Sequence, residues 1–242
     1  MIKSIIPTFI PVLFILQGFS QQDGEKWLKS VREIYQRIHE TGSDEGGGHF
    51  HLNYTVYTIM NNEQIPDVTQ TVDLVTDGDK TRMITPEMQL YTDKSEAVTL
   101  FPGKQVMYLS GIDPKEKRIQ RLHRKGILQD SVFGMSVLRA CYDTEDNGKT
   151  YKKIVIGLSA RGQQKFFTKS IAFYLDTTAL EIKKILIEYT RAKSPVAVQI
   201  YQFNALAYDV TGVSLKSVRE MFFNTEGGVL PAYRRYKIVD VR

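Results

Sequence analysis

Trp27, Leu28, Val31, Ile34, Tyr35 and Ile38 recur at helical spacing, with Lys26, Lys29, Arg32, Glu33, Gln36 and Arg37 between them. Asp23 stands ahead of the run as a cap. The pattern predicts an amphipathic helix of about four to five turns whose apolar stripe must cover another element. The breaker-rich segment from Thr41 to Gly48 ends it.

From His49 the period drops to two. Phe50, Leu52, Tyr54, Val56 and Met60 alternate with His49, His51, Asn53 and Thr55, which predicts a half-buried strand over 49–60. Alternation continues over 68–76, and Asp77-Gly78-Asp79 is a hairpin signal. Strands are predicted over 80–85, 89–93, 97–101 and 105–110, then over 151–159, 166–175, 181–189, 196–207 and 236–241. Residues 130–141 read as a short helix or an inward-packing loop, 143–148 as a polar loop, and 215–223 as a short helix capped by Ser214. Short strands joined by hairpin turns argue one antiparallel sheet. The expected fold is mainly β with some α: a large, strongly curved sheet with a few helices on one face.

The residues before this pattern read differently. Met1 to Lys3 is a short positive start, 4–19 is uncharged and apolar, and Gly18-Phe19-Ser20 leads into a polar run. That is the layout of a cleavable signal peptide over 1–20, leaving 21–242 as a single domain. A transmembrane anchor is the weaker reading, because the run is short and holds Pro7, Pro11 and Gly18. Cys141 is the only cysteine, which excludes internal disulfides and cysteine-only metal sites. An exported chain with one thiol fits a bacterial periplasm. The net charge of +5 favours anionic surfaces in general without arguing for nucleic acid.

Candidate chemistry is sparse. No zinc-protease helix, phosphate loop, dinucleotide fingerprint or nucleophile elbow occurs, and Gly157 to Gly162 misses the last by one residue. His49 and His51 share a strand face, but no third ligand is named, so they read as a surface pair and no metal or other cofactor is expected. Asn53-Tyr54-Thr55 matches a glycosylation sequon by chance. Lys115, Lys117, Arg118, Arg121, Arg124 and Lys125 form the most basic stretch. It reads as a charged edge strand or as a surface that docks to anionic lipid or an acidic partner.

Three local segments carry a likeness to a known family. They are Val72-Asp73-Leu74-Val75-Thr76-Asp77-Gly78-Asp79-Lys80, the hairpin from Ala172 to Lys184, and the ending Phe222-Phe223-Asn224 with Tyr236 to Val241. With the leader, the opening helix and the mid-chain helical interruption, the chain resembles the periplasmic lipoprotein-carrier (LolA/LolB-like) superfamily. The likeness is one of layout, and no individual functional residue is carried across with it. It implies a half-open, incomplete β-barrel closed by helices, with an apolar concave face for the acyl chains of lipoproteins or lipids. The lining candidates are Leu52, Tyr54, Val56, Val72, Leu74, Met83, Leu90, Val98, Leu100, Val106, Tyr108, Ile171 and Phe173, and the lid-helix candidates are Trp27, Val31 and Ile34. The function so implied is a periplasmic, non-catalytic carrier or chaperone of lipid or lipoprotein. The alternatives are a lipid-free subunit of a cell-envelope assembly with a protein partner, and a hydrolase with an unrecognised site.

Overall fold

The computed structural model describes residues 12–41, 49–112, 130–190, 194–208 and 214–242. The elements are α1 (Val12–Thr41), β1 (His49–Met60), β2 (Val68–Asp77), β3 (Lys80–Ile84), β4 (Gln89–Thr92), β5 (Glu96–Phe101) and β6 (Val106–Gly111). Then come α2 (Asp130–Gly134), β7 (Ser136–Asp146), β8 (Lys149–Leu158), α3 (Ala160–Phe166), β9 (Thr168–Asp176), β10 (Glu181–Tyr189) and β11 (Val196–Tyr208). The described chain ends with α4 (Val218–Phe222) and β12 (Lys237–Asp240).

All twelve strands form one sheet in the order β12-β6-β5-β4-β3-β2-β1-β11-β10-β9-β8-β7. The sheet is curved and does not close into a barrel. Its two edges are β12 and β7. Successive strands pair through hairpins, as the alternating pattern requires, and β1 joins the two runs by pairing with both β2 and β11.

Several local expectations are corrected. The helix begins at Val12 rather than beside Asp23. Only Gly18 and Gly24 weaken it in that stretch, at roughly 1 kcal/mol each, which is too little to stop a helix. Asp23 is an interior residue whose Oδ2 accepts from Trp27 Nε1 at 3.2 Å. Residues 143–146 are strand rather than loop, because their charges have cross-strand partners. Asp143 pairs with Lys152 at 2.7 Å, and Asp146 with Lys184 on β10. A helix absent from the sequence reading, α3, starts at Ser159, whose hydroxyl accepts from Gly162 N at 3.2 Å. The serine of the near-miss elbow is thus a cap. α4 is capped by Ser217, not Ser214, in a capping box with Glu220. Finally, β12 runs parallel to β6, so the sheet is not wholly antiparallel.

The two sheet faces hold separate cores. On the inner face α1 lays Leu28, Val31 and Tyr35 over β7 to β10, burying Ile154, Ile156, Ile171, Phe173 and Ile185 almost completely. Phe133 of α2 stacks on Phe173 with ring centroids 5.9 Å apart. On the outer face of β4 to β6, α4 seats Val218 and Phe222 against Tyr91, Val98, Leu100, Met107 and Leu109. Asp93 anchors that helix by accepting from Val218 N at 2.8 Å, and Glu96 binds Arg219 and Arg242 at 2.9 Å each.

Candidate functional site

Register fixes which side chains share the inner face. The row Leu52, Leu74, Met83, Leu90, Thr99 and Tyr108 crosses β1 to β6 through consecutive cross-strand pairs. One step toward the buried end lies the row Phe50, Thr76, Thr81, Thr92, Ala97 and Ser110. On the other side Tyr54 faces Val72 and Phe101 faces Val106. No inward position named on β1 to β6 carries a charge. The first is Lys237, exposed on the edge strand β12 beside Val106.

This half of the face is incompletely covered. Tyr54, Val56, Leu74, Met83, Leu90, Phe101 and Val106 are only partly buried, and Tyr108 is 41% exposed. Among the described elements, α1 packs chiefly on β7, and to a lesser extent on β8 and β10.

The thirteen lining candidates therefore divide. Tyr54, Val56, Leu74, Met83, Leu90, Val106 and Tyr108 lie partly buried on the inner face of β1 to β6, and Leu52 and Val72 lie on the same face but are buried. Ile171 and Phe173 are on the same face but sealed under α1 and α2. Val98 and Leu100 point to the opposite face, against α4, because β5 is apolar on both sides and its stronger phase serves the outer core. Of the lid candidates, Val31 is fully buried, while Trp27 and Ile34 pack at the margin of the inner core. The basic candidates Lys115, Lys117, Arg118, Arg121, Arg124 and Lys125 lie outside the described residues.

Polar groups that sequence reading missed lie on β10 and β11 and at the buried end of β2. Tyr189 and Tyr201 both donate to Gln199 Oε1, at 2.6 and 3.1 Å, and Gln199 Nε2 reaches Thr58 Oγ1 at 3.4 Å. Burial raises the Tyr201 phenol well above its ordinary range, so it is a neutral donor. Tyr208 is pushed up to about 12, chiefly by burial. The buried hydroxyl of Thr76 has no partner. The signal for the tyrosines was their inward parity with Tyr54, but parity becomes readable only once the β1–β11 register, with its bulge at Asn53/Tyr54, is known.

The charged side chains of β1 to β3 gather on the opposite surface. His51 Nε2 lies 2.7 Å from Asp73 Oδ1, Asn53 Nδ2 donates to the same oxygen at 3.2 Å, and Arg82 Nη2 lies 3.2 Å from Asp73 Oδ2. Burial alone would raise the Asp73 pKa, but these hydrogen bonds and the neighbouring charges hold it below the usual carboxylate range. His49 Nδ1 lies 3.2 Å from Asp77 Oδ1. The two histidines thus each face their own carboxylate rather than converge. Among the described residues no group of three or more His, Cys, Asp or Glu is placed to hold a metal ion. Asn53 is tied at both ends of its amide, since Asn204 Nδ2 donates to its Oδ1 at 2.9 Å.

No family model matches the chain, and no curated protein matches it in sequence. Among solved structures its fold is similar to an uncharacterized conserved protein from Thermus thermophilus, at 8% identity over 87% of this chain and 99% of that one, with a TM-score of 0.40. It is similar to a LolA superfamily protein from Nitrosomonas europaea, at 10% identity, 81% and 97% coverage and a TM-score of 0.31. It is also similar to the lipoprotein LppX of Mycobacterium tuberculosis, at 10% identity, 76% and 99% coverage and a TM-score of 0.41. These likenesses concern fold alone. The layout expected from the sequence is present: an opening helix, a long strand series and a mid-chain helical interruption. No described helix is long and apolar enough to cross a membrane.

Proposed function

We propose that this chain is a non-catalytic, exported carrier that holds an acyl chain against the uncovered inner face of β1 to β6. One observation carries the reading: the inward positions of β1 to β6 are uncharged and Tyr54, Leu74, Met83, Leu90, Val106 and Tyr108 among them are only partly buried, while the β7 to β10 part of the same face is sealed by α1 and α2. An acyl chain suits such a surface, because each methylene withdrawn from water there contributes about 0.8 kcal/mol. The N-terminal apolar run supports export, and a periplasmic setting would supply both lipid and lipoprotein.

The test is direct. Gently purified protein is analysed by native mass spectrometry for bound lipid and titrated with an uncharged naphthylamine fluorophore. Lipid is expected in the first experiment. In the second, the fluorophore should brighten on wild-type protein and stay dark on the double variant Leu74→Asp, Leu90→Asp. Protein that is lipid-free and also leaves the fluorophore dark overturns the proposal.

A further inference from the structure

We propose that the corner between α3 and β9 docks to an anionic membrane surface, with Phe167 entering the lipid and Arg161, Lys165 and Lys169 lying over the headgroups. The inference goes beyond the acyl-chain reading and does not depend on it.

Phe166 and Phe167 are neighbours, yet the fold uses only the first as core. Phe166 packs against the inner cluster. Phe167 caps α3 with φ 53° and ψ 23°, and it is 43% exposed. That left-handed conformation at a helix end normally falls to glycine or asparagine, and a bulky side chain is strained there. The surroundings hold the backbone in place: Thr190 N donates to the Phe167 carbonyl at 2.8 Å, and the Thr168 hydroxyl to the Phe166 carbonyl at 3.1 Å. An aromatic ring is thus kept in water at a position where a smaller residue would serve the fold better, and such strain points to a use outside the fold.

The charge around that ring has one sign. Residues 160–169 contain Arg161, Lys165 and Lys169 and no Asp or Glu, and all three cations are exposed. Lys165 Nζ stands 5.1 Å from the centre of the Phe166 ring. Glu188 reaches the corner from β10; its Oε2 accepts from the Ser170 hydroxyl at 2.8 Å and lies 3.7 Å from Lys169 Nζ. Other exposed apolar residues have a different setting. Leu180 also has a positive φ, of 52°, but it closes the β9–β10 hairpin at the far end of the strands, between Asp176 and Glu181. Ile65 and Val68 stand beside Glu63 and Asp67. At the α3 corner the apolar tip sits among cations instead. Its complement is a bilayer with anionic headgroups, which attracts each nearby Lys or Arg and takes the ring out of water. A stable protein partner would need a broad, shape-matched patch, whereas a fluid surface closes around a single ring.

Phe167→Trp in the full chain reports on the corner itself, whatever else in the chain touches lipid. It is mixed with vesicles of phosphatidylglycerol and phosphatidylcholine in equal parts, carrying brominated acyl chains, and the wild type supplies the Trp27 background. The added indole should shift to the blue and lose most of its emission, and should stay unquenched on vesicles of phosphatidylcholine alone. Adding Lys165→Gln and Lys169→Gln should raise the lipid needed for half-quenching about tenfold. Phe167→Asn, which suits the backbone, should melt no lower than the wild type. Bound protein with an unquenched indole, equal quenching on both kinds of vesicle, or a marked fall in the melting temperature of Phe167→Asn overturns the inference. So does a blue shift without vesicles that grows with protein concentration, which assigns the corner to a second copy of the chain. Quenching should survive Leu74→Asp with Leu90→Asp, whatever those changes do to the inner face. Its loss there would mean that the inner face draws the lipid and the corner is not the dock.

Discussion

At the scale of single residues, the chain separates its charges from its apolar groups by parity along β1 to β3. Asp73 shows what that separation costs and returns. Its carboxylate is partly buried, yet it takes hydrogen bonds from His51 and Asn53 and pairs with Arg82, so its pKa in the folded chain lies below the unfolded value of about 4. A lowered acid contributes stability that is fully present above the unfolded pKa and lost as pH falls through the folded one. Asp73→Asn should therefore reduce stability at neutral pH, by no more than about 1 kcal/mol because water still screens the pairs. The gap between variant and wild type should narrow as pH falls below about 4 and close once it is below the folded pKa, where both carry a neutral side chain. Urea unfolding midpoints across the acid range measure this. A gap that persists unchanged at the lowest pH would show that Asp73 acts by packing and not by charge.

At the scale of elements, the placement of α1 decides which half of the inner face is open. Gly24 sets how closely the helix approaches β7: a Cβ there would stand 2.6 Å from Leu138 Cδ2 and 3.1 Å from Cys141 Cβ. Leu138 could swing aside, but the backbone-fixed Cβ of Cys141 could not. Gly24→Leu is expected to lift this end of α1 and to speed modification of the Cys141 thiol, which is now half-buried and raised in pKa mainly by burial. An unchanged modification rate would mean the helix can slide without opening. Such contacts explain what the sequence could reveal. Strands such as β1 and β10 were legible because a period of two survives without knowledge of neighbours. The strand character of Asp143 to Asp146 was not, since it depends on Lys152 and Lys184 from elsewhere. Nor was the outward turn of Val98 and Leu100, because both phases of β5 are apolar and only the position of α4 breaks the tie. The inner-face residues of the candidate site were mostly legible by parity. Which of them α1 would cover was not, because helix placement is set by packing across the whole sheet.

At the scale of the whole molecule, one sheet divides a sealed core from the face to which the proposed ligand is assigned. The β7 to β10 half, with α1 and α2, is a filled core: Phe173, Ile154 and Ile185 are inaccessible to water and Phe133 stacks above them. On the outer face α4, with the edge strand β12 beside β6, braces the opposite end of the sheet through Asp93, Glu96 and Arg242. Between these braces, the inner surface of β2 to β5 can stay partly uncovered without leaving the strands unsupported, because each backbone ladder is complete, the reverse face of β4 and β5 is packed by α4, and that of β2 and β3 is tied by the Asp73 ion pairs. This division predicts opposite consequences for similar truncations. Phe173→Ala should destabilise the chain by about 3–5 kcal/mol, the cost of an unrelieved cavity. Leu90→Ala, at a half-exposed position, should cost about 1 kcal/mol or less and yet lower acyl-lipid affinity measurably. Thermal unfolding and lipid titration on the same two variants give both numbers. Should Leu90→Ala cost as much stability as Phe173→Ala, the open half would be core that merely looks uncovered, and the molecule would have no surface left over for a ligand.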